Sequence, residues 1–281
     1  MYATRGAYGH DELLIVKMGT LAWDRDSRRR LCLGVMVGLM CVVGIAAARV
    51  HRASVLSASI NEGISSEIRL DNALELTRRV AARFRHIEEY GAVGEVAAWP
   101  LRSEADYLLT GGDCGRAAGA LGAVFVSRGR PFRILQANVD EQGAGHIMFE
   151  TPDDAGRWVL LDPIEGRGFQ SPIDGRFLGI DEIRALPLHM RDWLPEEYRD
   201  GELSLFSPYR RTNWTRLGAL ASVVRATAGD EWMRQTSMRV VILKSDHLLL
   251  TGGSLAIFLL VFARAISTPG SAVNPRKTAP R

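Results

Sequence analysis

Cysteine is scarce in this chain: three in 281 residues, at Cys32, Cys41 and Cys114. Cys32 and Cys41 fall inside an apolar run, which leaves Cys114 as the lone thiol of the remainder and excludes an internal disulfide framework there. That thiol is then either a reactive group or a small buried hydrophobe. Charge of one sign is lacking too. A dispersed net charge of +3 argues against nucleic acid as a partner, and no zinc-finger or other nucleic-acid motif occurs. Gly111-Gly-Asp-Cys-Gly115 lacks the Lys-Ser/Thr ending of a phosphate-binding P-loop, and no cofactor is expected. Internal repeats are absent, as are low-complexity runs outside the C-terminal tail. What is present is an ordinary globular composition, 47% hydrophobic and 24% charged, on a chain long enough for a sizeable core.

Two apolar runs frame that core. Leu31 to Ala48 is unbroken, with Arg28, Arg29 and Arg30 before it and Arg49 after. Roughly 17–25 such residues cross a bilayer as a helix, so residues 31–50 are read as a transmembrane helix after a cytoplasmic leader, 1–30. Four arginines from Arg25 to Arg30 against Arg49 and Arg52 beyond place the N-terminus in the cytoplasm by the positive-inside rule. A cleaved signal with Ala46-Ala47-Ala48 at its end competes, but the run exceeds the usual length and a long polar leader precedes it. Ser27-Arg28-Arg29 also fits a twin-arginine signal, although a basic flank alone produces the same letters. His247 to Ile266 is the second run, interrupted at Thr251-Gly-Gly-Ser254, and reads as a second span or as a buried core helix. A basic tail, 267–281, favours the span. Between them residues 51–246 form an exported domain of about 195 residues, with Arg52 to Ser66 expected as its linker to the membrane.

The chemistry concentrates between Gly111 and Pro163. Ala117, Leu121, Val124 and Phe125 follow Cys114 at helical spacing and Gly129 ends the run, which places the thiol in the first turn of a helix, Cys114 to Arg128. Unpaired N–H groups and the helix dipole there favour a thiolate. His146 to Glu150 and Trp158 to Asp162 read as strands joined by the polar turn Thr151 to Arg157. A hairpin centred near Asp154 sets His146 directly opposite Asp162 on one face, where a carboxylate fixes the imidazole's tautomer. Nucleophile, base and orienter are then Cys114, His146 and Asp162. The same three residues could hold zinc, but the paired-ligand spacing of such sites is missing. The N–H of Cys114 is the expected oxyanion donor, and Tyr107 is either a second one or core.

These residues carry a resemblance. The Gly-Asp-Cys helix start, the Gly-Arg-Pro-Phe-Arg strand entry at Gly129 to Arg133, the His-led strand and Arg157-Trp-Val-Leu-Leu-Asp-Pro163 resemble the transglutaminase-like core of the papain-like cysteine superfamily. The stretch covers Tyr107 to Pro163, about a fifth of the chain. The resemblance implies an α+β fold, a nucleophile helix packed on an antiparallel sheet, and a Cys-His-Asp triad in this chain order at Cys114, His146 and Asp162. Ile147 stands where family sequences often carry an aromatic residue, a departure that bears on substrate preference.

Around this core, Glu67 to Tyr90 carries a helical apolar stripe ended by Gly91, with His86 structural near its C-terminus. Phe132 to Val139 is a strand, and Asp140 to Gly145 a glycine-containing approach to His146. Beyond Pro163 lie short helical pieces at Asp181 to Leu186 and Leu217 to Val224, an irregular excursion from Met190 to Tyr198, and the Arg- and aromatic-rich Tyr209 to Arg216, which suits sugar stacking, anion binding or packing near a membrane. Asn213-Trp-Thr215 matches an N-glycosylation acceptor, meaningful only after export through an endoplasmic reticulum. The sequence thus supports a membrane-anchored cysteine enzyme acting on amide bonds of a peptide or other amide substrate, with water or an amine as acceptor. The alternatives are a silent peptide- or glycan-binding module and an accessory part of a cell-envelope or polysaccharide export assembly.

Overall fold

The computed structural model describes residues 25–67, 69–137, 145–187, 193–194, 198 and 209–267. The leader before Arg25, Ile68, residues 138–144, most of the Met190 to Tyr198 excursion and the tail beyond Ser267 lie outside them. The described residues form seven α-helices and one four-stranded antiparallel sheet, an α+β arrangement.

Helix α1, Arg25–Asn61, is a single 37-residue helix. It does not stop at the end of the apolar run, and this corrects the expected linker from Arg52 to Ser66. The small polar residues of that stretch look solvated in sequence, but Ser57 and Ile60 are buried. Arg52 reaches across to the carboxylate of Asp106 at 2.6 Å, itself fully buried. Helix α2, Leu70–Tyr90, buries Leu74, Leu76, Val80, Phe84 and Ile87 along the expected stripe. It starts three residues later than the periodicity suggests, because Arg69 is extended (φ −111°) and the Leu70 N–H is capped from afar by the Asp154 carboxylate at 3.0 Å. His86 is exposed, its ring 4.9 Å from that of Tyr90.

A 3-10 turn, Glu104–Asp106, and the short helix α3, Tyr107–Thr110, lead into α4, Cys114–Ser127. Helix α4 is buried nearly all round: Ala117, Ala118, Gly119, Ala120, Leu121, Gly122, Ala123, Val124 and Phe125 are all buried. Its small residues let neighbours come close. A Cβ on Gly122 would lie 2.7 Å from Leu243 and 3.2 Å from Phe132. The sheet consists of β1, Arg133–Ala137, β2, His146–Pro152, β3, Trp158–Asp162, and β4, Arg167–Gly168, in that order. Strand alternation divides the core in two. Ile134, Phe149 and Leu161 face α2 and α4, with Phe149 stacked on Phe132 at 4.9 Å. Leu135, Met148 and Leu160 face the other side, where Phe169, Leu178 and α5, Ile180–Ala185, cover them.

Helix α6, Ala219–Gln235, extends well past the expected Val224 and breaks at Gly229, whose φ of +83° no other residue type adopts at ease. Helix α7, Met238–Ser267, is one continuous helix, starting nine residues before the apolar run His247 to Ile266 and passing through the Thr-Gly-Gly-Ser interruption. The interruption is where the two long helices meet. A Cβ on Gly253 would fall 2.4 Å from the Val43 side chain of α1. One turn on lies Ala46, 1% exposed, and one further turn on Arg49 pairs with Asp246 of α7 at 2.7 Å. Both α1 and α7 are long and apolar enough to cross a bilayer.

Candidate active site

Cys114, His146 and Asp162 are the first residue of α4, the first of β2 and the last of β3, and the fold brings all three to one end of the sheet. Asp113 caps α4: its carboxylate accepts the Arg116 N–H at 2.9 Å. That cap serves the third N–H of the helix, and among the described residues those of Cys114 and Gly115 bond to no acceptor. They are the available donors for an oxyanion beside the sulfur.

The His146–Asp162 pair forms, although not by the expected register. The β2–β3 ladder pairs Phe149 with Leu161 and Thr151 with Val159, so the hairpin centres on Ala155 and not on Asp154. His146 is thus diagonal to Asp162 instead of directly opposite. The turn dictates this: the Asp153 N–H bonds the Arg157 carbonyl at 2.7 Å, and the Asp153 carboxylate accepts the N–H groups of Ala155 and Arg157. A slip of two residues keeps every side chain on its original face. A diagonal neighbour remains within reach of a long side chain, and His146 Nε2 meets Asp162 Oδ2 at 2.5 Å.

Asp162 is fully buried, and each of its oxygens has two donors. Oδ2 takes His146 and the Tyr198 hydroxyl at 2.6 Å, while Oδ1 takes the N–H groups of Ile164 and Glu165 at 3.0 and 3.1 Å. Burial alone would raise its pKa, but the bond and charge of His146, with the Tyr198 hydroxyl and backbone donors, hold it below the usual carboxylate value. For His146 burial pulls down, and the bonds to Asp162 and Cys114 with their charges overcome it, lifting the imidazole to about 10. Burial likewise pushes the Cys114 thiol up. The bond to His146, the Ile147 N–H at 3.4 Å from the sulfur and the imidazolium charge outweigh that and lower it. With Nε2 committed to Asp162, Nδ1 is the ring nitrogen outside that bond. Both shifts run toward a thiolate beside an imidazolium, with the carboxylate as the imidazole's partner.

Such filled lone pairs leave Asp162 no oxygen to offer a metal. Among the described residues no group of three or more His, Cys, Asp and Glu side chains is placed to bind one.

The sulfur opens onto a cleft of about 480 Å³. Tyr107 is on its wall, half-buried, with the Arg102 and Arg116 guanidinium groups 5.2 and 5.6 Å from its ring centre. Glu104, Gln136 and Ile147 contribute further, and α7 supplies Arg239 and Ile242. Arg239 donates to the Gly115 carbonyl at 3.0 Å, so the long C-terminal helix touches the first turn of α4, where Cys114 lies. Three participants escaped the sequence. Tyr198 comes from a stretch without periodicity, and its only hint was an aromatic among acidic residues. Arg239 was hidden because α7 was expected to begin at His247. The Ile147 N–H is a backbone group and has no sequence signal. Comparison with protein-family models, with curated proteins and with solved structures finds no match.

Proposed function

We propose that this chain is a membrane-anchored, transglutaminase-like cysteine enzyme that cleaves or exchanges amide bonds. The observation that carries the reading is the meeting of three groups at one end of the sheet in the chain order Cys, His, Asp: the Cys114 sulfur lies 3.4 Å from the Ile147 N–H, and His146 bonds the buried Asp162 at 2.5 Å. The proton rests on His146 and the sulfur is anionic. The thiolate adds to an amide carbonyl carbon, and the oxyanion takes the Cys114 and Gly115 N–H groups. As the tetrahedral adduct collapses, the C–N bond breaks and the imidazolium gives its proton to the departing amine. The remaining thioester is attacked by water or by a second amine. His146 accepts the attacker's proton, and the C–S bond breaks to restore the thiolate. Water yields hydrolysis and an amine yields transamidation.

In this reading α1 and α7 both span the bilayer. The arginines of Arg25 to Arg30 keep the N-terminus in the cytoplasm, and the catalytic domain lies on the opposite side.

Cys114→Ala in the full chain is expected to abolish labelling at residue 114 by a thiol-directed amide-mimic probe and to abolish turnover of a peptide library, while the circular dichroism spectrum stays unchanged. Probe sites are read by peptide mapping, because Cys32 and Cys41 also carry thiols. Turnover that survives the substitution rejects Cys114 as the nucleophile.

A further inference from the structure

The domain is not hung from the membrane on a flexible stalk. Helix α1 continues from its apolar segment into the domain without a break, and the Arg52–Asp106 bond fixes it there one turn beyond Arg49. The Arg49–Asp246 pair closes the mouth of the two-helix pair, so both helices leave their apolar segments at the same level. From there to the cleft is a short step. Eight residues of α7 separate Arg239, on the cleft wall, from His247, about 12 Å at 1.5 Å per residue, and Ile242 lies nearer still.

Two further features point the same way. The segment from Glu95 to Leu101 is held to α1 through the Arg52 bond to the Glu95 carbonyl and the Arg49 bond to the Pro100 carbonyl. It carries Trp99, 86% exposed, and Leu101, 43% exposed, at the level where tryptophan is enriched in membrane proteins. In addition, a cavity of about 130 Å³ lies between α1, α4 and α7, lined by Val50, Ala53, Val126 and Leu243. It shares Glu104 and Ile242 with the Cys114 cleft and reaches down to Arg49 and Asp246.

We infer that the enzyme works on a peptide amide that is itself carried on a membrane anchor, presented roughly a dozen ångströms above the hydrocarbon boundary. This rests on the cysteine-enzyme reading above. The rigid seat fixes the height of Cys114, so an amide held at that height meets the thiolate at high effective concentration. An amide on a long tether is diluted over a large volume. The cavity beside the cleft, part apolar and part lined by Arg49, Glu104 and Asp246, accommodates the start of an anchor, where a polar linkage meets the first carbons of a chain.

The full chain in phosphatidylcholine vesicles tests this with one peptide library in three forms: free, coupled to phosphatidylethanolamine directly, and coupled through a long polyethylene glycol spacer. Both anchored forms are equally concentrated on the surface, so their difference reads height alone. Turnover is expected to be at least about fivefold faster for the direct form than for the spaced form, and slowest for the free peptide. Soluble amide-mimic labelling of Cys114 in the same vesicles is the control. Labelling with equal turnover of the direct and spaced forms, or with the free peptide preferred, overturns the inference and leaves the cysteine enzyme standing. Neither labelling nor turnover in any form overturns both.

Discussion

Asp162 and Ala46 are both shielded almost completely from solvent, at 0% and 1% exposure, yet what surrounds them differs in kind. Asp162 is held by four directional donors, two of them from side chains that come from β2 and from Tyr198, 36 residues on. Ala46 sits where α1 and α7 fit by shape, between the Val43–Gly253 contact and the ion pair of Arg49 with Asp246. The contrast separates what each region tolerates. The Asp162 end is broken by removing polar atoms, because the groups left behind are buried and lose their partner. The helix pair is broken by adding carbon atoms, because there is no room for them.

Asp162→Ala sets the scale on the polar side. It strands His146, Tyr198 and two backbone N–H groups, and a urea titration of the full chain in detergent is expected to show a loss of about 3–5 kcal/mol. Labelling of Cys114 should fall with it. Should Asp162→Ala cost less than about 1 kcal/mol, the directional half of the comparison fails.

Gly253→Val is the matching insult to the helix pair. Its side chain meets Val43 and forces α1 and α7 apart, for an expected loss of about 1–3 kcal/mol in thermal unfolding, with labelling of Cys114 retained. Loss of labelling in this variant would show that the two regions are not separable.

Tyr198→Phe is milder, about 0.5–1.5 kcal/mol, since it removes one donor and leaves Asp162 three. It is expected to raise the pH below which Cys114 labelling is lost, because one of the groups holding Asp162 down is gone.

Smallest in energy, but sharpest in sign, is the pH dependence. Alkylation of Cys114 is expected to titrate with a midpoint below the free-thiol value of about 8.5, and His146→Ala should move that midpoint upward. Stability follows the same charges. The raised imidazole contributes fully below its unfolded pKa of about 6.5, and the contribution fades as pH rises through about 10. The depressed carboxylate contributes above about 3.9 and fades as pH falls through its lowered folded value. Both contributions are therefore complete between about pH 4 and 6.5. Denaturant midpoints measured from pH 3 to 10 in the wild type and His146→Ala check the window.

How far the sequence could be read depended on the range of each interaction. Cys114 at a helix start, and His146 and Asp162 on alternating strands, are written in patterns a few residues long. Their meeting survived an error in register because the error was an even number of residues. Arg52 is the opposite case. Its partner Asp106 lies 54 residues away, and nothing near Arg52 distinguishes a buried ion pair from a solvated linker. The start of α7 was misplaced for a similar reason. Arg239 and Lys244 look like the polar end of a domain until α4 and Phe132 are seen beside them. Periodicity reports which face is buried but not what covers it.

The Asp154 cap on Leu70 joins residues 84 positions apart, and it sits in the very turn whose closure aligns His146 with Asp162. A nascent chain makes the α2 segment long before it makes that turn, so this cap on α2 is added only once the hairpin has closed. One turn thus serves two distant places at once, the start of α2 and the meeting of His146 with Asp162, so a substitution at Asp153 or Asp154 reaches both.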